Sequence, residues 1–128
     1  MTLAIDFDGV IHGYSKGWQN GEIYDRPIKG AARFIYDCMF EYNWNVFILS
    51  TRDPSQIEPW CRAVLFQGKE LPFEITQIPF SHGVFWNKKK NLGITNRKLA
   101  ADVYLDDRAM LFTGSYHNLS EQIANFKT

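Results

Sequence analysis

The chain is expected to fold as an α/β domain of three layers, a mainly parallel sheet between helices. Three observations predict it. Short apolar runs occur at Leu3–Ile5, Val46–Leu49 and Val103–Leu105, as interior parallel strands require because both of their faces are covered. Stretches with apolar residues at three- and four-residue steps follow the first two runs, giving the strand–helix alternation of right-handed βαβ units. Finally, each run stops abruptly in carboxylates or hydroxyls.

The first strand, residues 2–7, meets a turn at Asp8-Gly9. Residues 10–26 are polar, glycine-rich and aromatic, and they carry neither period. A connection of that length is often functional, so a small flap or short hairpin is expected, with His12, Trp18 and Tyr24 available to cover a ligand. Pro27 suits a first helical position, and Ile28, Ala31, Ala32, Ile35, Cys38, Met39 and Tyr42 form one helical face. After the second strand, Asp53 reads as an N-cap with Pro54 at N1 and Gln56 at N3, opening a helix to about Gln67. Between Gly68 and Arg97 the pattern is broken. A strand near Phe73–Ile78, a helical turn or two near Val84–Asn91 and a short strand at Gly93–Thr95 are expected. The last strand is Asp102–Leu105. Leu119, Ile123 and Phe126, behind Asn118 or Ser120 as a cap, predict a closing helix.

At 128 residues, with 45% hydrophobic and 16% aromatic residues, the chain suits one domain, 1–128, with a substantial core. Fourteen basic residues balance fourteen acidic ones, so the molecule as a whole offers no strong field to nucleic acid or an anionic membrane. The run before Asp6 is too short for a leader or a membrane span, and no apolar stretch approaches membrane length. A cytoplasmic protein with no membrane association is expected. Cys38 and Cys61 fall on the two helices among apolar neighbours, where reduced, buried thiols are expected.

In open parallel sheets ligands bind beyond the carboxyl ends of the strands. That rule brings together Asp6 and Asp8, Ser50 and Thr51, and Asp106 and Asp107. Four carboxylates without a counter-charge would repel one another. A divalent cation relieves this, and an all-oxygen donor set suits Mg²⁺, which would also draw in a phosphate.

Taken in order, Asp-Phe-Asp-Gly-Val (6–10), Ile-Leu-Ser-Thr-Arg (48–52), Lys98 and Tyr-Leu-Asp-Asp-Arg-Ala (104–109) resemble the four motifs of the haloacid dehalogenase superfamily. The stretch from Thr95 to Ala109 looks most like its small, nearly capless members. The resemblance implies a Rossmann-like domain and an Mg²⁺-dependent phosphohydrolase acting on phosphate monoesters. Asp6 would be the nucleophile and form an aspartyl-phosphate. Asp8 would protonate the leaving oxygen and later deprotonate water. The metal would be held by Asp6, the Asp8 backbone carbonyl, and Asp106 or Asp107. Ser50, with Thr51 as the alternative donor, would bind the phosphoryl group at the N-terminal end of the second helix. Gly9 would belong to the same phosphate-binding set, and Arg52 would add a fork to the phosphate or to the substrate beyond it. Lys98 would screen the charge on Asp6, with Lys88, Lys89 and Lys90 as competitors by charge alone.

The expected partner is a phosphorylated small molecule. The Ser-x-Arg and Asp-Asp-Arg elements are also similar to the phosphatase domain of phage-type polynucleotide kinases. A phosphorylated nucleic-acid end is therefore an alternative substrate, contacted through Lys88–Lys90, Phe85 and Trp86. A receiver-like signalling module, or a magnesium-binding protein without turnover, is the alternative of another class. Motif order speaks against the receiver, since here the lysine precedes the final acidic pair. Oligomeric state is not legible.

Overall fold

The structure, a computed structural model, describes residues 1–126. Its elements in chain order are β1 (Thr2–Asp6), α1 (Ala31–Tyr36), β2 (Asn45–Leu49), α2 (Pro54–Trp60), β3 (Glu74–Gln77), β4 (Asn91–Thr95), β5 (Val103–Leu105) and α3 (Leu119–Ala124). The five strands form one sheet in the order β3-β4-β2-β1-β5, and every pairing is parallel. The α/β class and the parallel sheet are as the sequence predicts.

Alternation along the strands sorts the core onto two faces. Leu3, Ile5, Val46, Ile48, Leu92 and Ile94 pack with Ile35, Cys38, Met39, Ile57 and Cys61 from the two helical segments. Ala4 and Phe47 point the other way and meet Ile78, Trp86 and Leu99. This second face is therefore filled by the two connections that flank β4, residues 78–90 and 96–102. The expected third, helical layer is not what covers it: α3 buries no residue, and Ile123 and Phe126 are 58% and 40% exposed. Gly93 makes the loop packing work. A Cβ there would sit 2.7 Å from Ile78 and 2.8 Å from Trp86, so only glycine lets the indole lie on the strand.

Two helix boundaries differ from expectation. The first helix starts at Ala31, not Pro27, because residues 27 and 28 are used elsewhere: Pro27 bridges His12 and the Ile28 N–H donates to the Ile11 carbonyl. Both long helices also end in a widened turn, over Asp37–Glu41 and Cys61–Leu65, closed by Tyr42 N–H to Asp37 O and Phe66 N–H to Cys61 O. Such i→i+5 turns insert an extra residue and re-aim the face, and these bury Cys38, Met39, Cys61 and Leu65. Asp53 caps α2 as expected, its Oδ1 accepting from the Ser55 N–H and hydroxyl.

No helix forms over Val84–Asn91. Trp86 is anchored by its Nε1–H to the Asn91 carbonyl, Phe85 bridges Ala100, and the segment runs as an irregular strap. Both thiols are free and buried, and burial pushes Cys38 up to about 11 and Cys61 to about 12. Burial thus disfavours the thiolate form in both. Among the described residues no helix is long and apolar enough to cross a membrane.

Candidate active site at the carboxyl edge of the sheet

β1 lies between β2 and β5, and the chain leaves it toward β2 first and returns to its other side only at β5. That reversal of direction opens a crevice at the carboxyl end of β1. A cleft of about 470 Å³ stands there, lined by Asp6, Asp8, Tyr14, Leu49, Ser50, Thr51, Asn96, Lys98, Asp106 and Arg108. Residues from the ends of four strands and from the 10–26 loop thus meet, although they lie up to a hundred positions apart in the chain.

The acidic set is close. Carboxylate oxygens of Asp6, Asp106 and Asp107 lie within 4.8 Å of one another. Burial, followed by the charge of Asp106 and then smaller contributions from Asp107 and Asp8, raises Asp6 from the ordinary 3.8 to about 7. Asp107 reaches the group only because residue 9 has no side chain. Gly9 has φ +84°, and a Cβ there would stand 2.3 Å from Asp107 Oδ2. Gly9 therefore makes room for a carboxylate and is not itself among the cleft-lining residues. Asp106 accepts the Arg108 N–H through Oδ1, a bond that fixes the turn after β5.

Ser50 and Thr51 stand at the end of β2, Ser50 buried and Thr51 exposed. The Ser50 N–H donates to the Thr95 carbonyl, which continues the β2–β4 pairing into the site, and its Oγ accepts the Arg52 N–H. Lys98 is exposed and lines the cleft with its Nζ 4.9 Å from the centre of the Tyr104 ring. The competing lysines lie at the other end of the sheet. Lys88–Lys90 precede the first residue of β4, and Lys89 Nζ donates to the carbonyl of Asn43, just before β2. Of the residues expected to contact a nucleic-acid end, Lys88–Lys90 do not line the cleft and Trp86 is 1% exposed, while Phe85 is 65% exposed.

Arg52 departs most from expectation. It is fully buried and does not line the cleft; its Nε–H donates to Asp8 Oδ2 at 2.8 Å, its Nη1–H to the Gly21 carbonyl at 2.6 Å, and its guanidinium lies 4.7 Å from the Trp18 ring centre. Two of the three guanidinium nitrogens expected for a phosphate are thus engaged by Asp8 and the flap, while Nη2 is buried without a partner among the described residues. His12 does not cover the site either. It is 0% exposed, enclosed by Phe7, Tyr14, Tyr24 and Trp60. Tyr24 pins the loop, donating to Gly17 O and accepting from Lys16 N–H, while Trp18 lies over Arg52. From the 10–26 segment it is Tyr14 that reaches the cleft.

Sequence reasoning passed over Tyr14, Asn96 and Arg108 as site residues. Arg108 was visible as the residue after the acidic pair; Tyr14 and Asn96 carried no signal, because loop geometry alone brings them in. Compared with family models, with curated proteins and with solved structures, the chain matches none.

Proposed function

We propose that this protein is a metal-dependent phosphohydrolase that cleaves phosphate monoesters by nucleophilic catalysis. More narrowly, it is read as a small, open-sited member of the haloacid dehalogenase superfamily, with Mg²⁺ as its metal and a phosphorylated small molecule as its substrate. The observation that carries the reading is the meeting of Asp6, Asp106 and Asp107 within 4.8 Å, beside a cleft that Asp6 and Asp106 line together with Lys98, Ser50 and Thr51.

The donor set fits the ion. Hard carboxylate oxygens suit Mg²⁺, and a bound cation would offset both the burial and the repulsion from Asp106 that lift Asp6 to about 7. When bound, Mg²⁺ would neutralise charge on the phosphoryl oxygens and let the anionic nucleophile approach. Asp6, Asp106 or Asp107, and the carbonyl of Asp8 would hold it.

The remaining chemistry belongs to the chain. An Oδ of Asp6 attacks phosphorus in line; the new O–P bond forms as the ester O–P bond breaks. Asp8 gives a proton to the departing oxygen, then takes one from the water that attacks the aspartyl-phosphate, releasing phosphate and restoring Asp6. Ser50 and Thr51 donate to phosphoryl oxygens, and Lys98 offsets their charge. With no cap over the cleft, specificity falls to rim residues such as Tyr14, Asn96 and Arg108. A cytoplasmic setting accords with two unpaired thiols.

The test is hydrolysis of para-nitrophenyl phosphate by the purified protein with Mg²⁺ and with chelator. Release of nitrophenol only with the metal, lost in Asp6→Asn with the circular dichroism spectrum kept, is expected. Metal-independent or Asp6-independent turnover refutes the reading.

A further inference from the structure

Behind the cleft, the Asp8 carboxylate is bound on both oxygens from the buried side. Oδ1 lies 2.8 Å from His12 Nδ1 and Oδ2 lies 2.8 Å from Arg52 Nε. The other ring nitrogen settles the direction of the first bond. His12 Nε2 accepts the Asp25 backbone N–H at 3.0 Å, so it carries no proton, and Nδ1–H is the donor. His12 and the Arg52 side chain are 0% exposed while Asp8 keeps 18% of its side chain open toward the cleft. A carboxylate has about four lone-pair sites, and two donors leave the others facing outward.

We infer that His12 and Arg52 are positioning residues for Asp8, clamping its carboxyl group from behind so that the outward oxygen position, which carries the proton it gives and later takes back from water, faces the leaving oxygen. This rests on the phosphohydrolase reading. The clamp also ties Asp8 to the flap, because His12 is held by Asp25 and Arg52 by Gly21 and Trp18. The 10–26 segment therefore acts as a bracket for the acid–base residue instead of a moving lid.

A positioning role has a signature that simple destabilisation lacks. Proton donation matters most for a poor leaving group and least for nitrophenolate. In the Mg²⁺-loaded full-length protein, His12→Leu should lower kcat for an alkyl phosphate by at least about tenfold more than for para-nitrophenyl phosphate. His12→Asn, whose Nδ2–H stands near the lost Nδ1–H, should restore much of that difference. Equal losses on both esters, or no rescue by His12→Asn, overturn the inference. A second measurement is independent of turnover: ¹⁵N spectra of the unsubstituted protein should show His12 protonated at Nδ1 and bare at Nε2. An Nε2–H ring removes the clamp. If the unsubstituted protein hydrolyses neither ester, the phosphohydrolase reading fails, and the ring spectrum alone decides whether Asp8 is held as described.

Discussion

Asp6 and Asp8 stand two residues apart in one motif and end in opposite electrostatic situations. Asp6 faces the cleft beside Asp106 and Asp107, and burial together with their charge lifts its carboxyl to about 7. Asp8 turns the other side of the same bend into a buried knot in which Arg52 and His12 occupy both its oxygens. One aspartate is left with a charge to be satisfied from outside the chain; the other is satisfied from within. The DxD pattern thus sets two differently paired carboxylates on one cleft, and the pairing of Asp8 holds still the turn on which Asp6 stands.

The comparison can be broken at its strongest point first. Asp6→Asn removes the nucleophile and should lower kcat by about 10³-fold or more, on the order of 4 kcal/mol in barrier height. Full retention of the fold by circular dichroism is expected alongside, because among the described residues Asp6 forms no ion pair.

Asp8→Asn should do the reverse and destabilise the protein. Removing the carboxylate leaves the Arg52 cation buried without a counter-charge, at a cost of about 3 kcal/mol in urea unfolding. Arg52→Met should cost less, since an orphaned Asp8 still has 18% of its side chain open to water while an orphaned Arg52 has none. Equal losses would show that the knot is wetter than its geometry. This asymmetry also means that lost activity in Asp8→Asn must be read against its stability.

Gly9→Ala is next, at about 2 kcal/mol. It forces a side chain into φ +84° and drives a Cβ against Asp107. Its distinguishing effect is on the metal: the gain in thermal midpoint on adding Mg²⁺ should shrink, because Asp107 is pushed from the acidic set.

The smallest effect is a pH dependence of stability in the metal-free protein. With its folded value raised to about 7 against 3.8 unfolded, Asp6 keeps its proton in the folded state across that window while the unfolded chain has lost it. Its contribution is full below about pH 4 and is lost as pH rises through 7. Asp6 is half-buried, so solvent screening reduces the effect to about 1–2 kcal/mol. Thermal melts in chelator should fall between pH 5 and 7.5, and Asp6→Asn or added Mg²⁺ should flatten that slope.

The elements most legible in the sequence were those with a local cause. Asp53 caps α2 because a carboxylate before Pro54 accepts the Ser55 N–H whatever the rest of the chain does. The runs at Leu3–Ile5 and Val46–Leu49 are strands because an apolar stretch of that length can be covered on both faces only inside a sheet. Where the reading failed, a distant partner intervened. Pro27 does not open a helix because His12 and Ile11 claim its neighbourhood. Residues 84–91 form a strap because Trp86 finds a place over Gly93. Arg52 leaves the phosphate side because Asp8, forty-four positions away, holds it.

By itself, then, the amino-acid sequence determined the parallel α/β class and the clustering of Asp6, Ser50, Thr51, Lys98, Asp106 and Asp107 at one edge of the sheet. Strand polarity alone puts every carboxyl terminus on the same side. Only the tertiary structure decided which charges face the cleft and which are neutralised behind it. That choice depends on distances of a few ångströms between residues far apart in the chain, and charge pairing in a poorly screened interior turns on such distances.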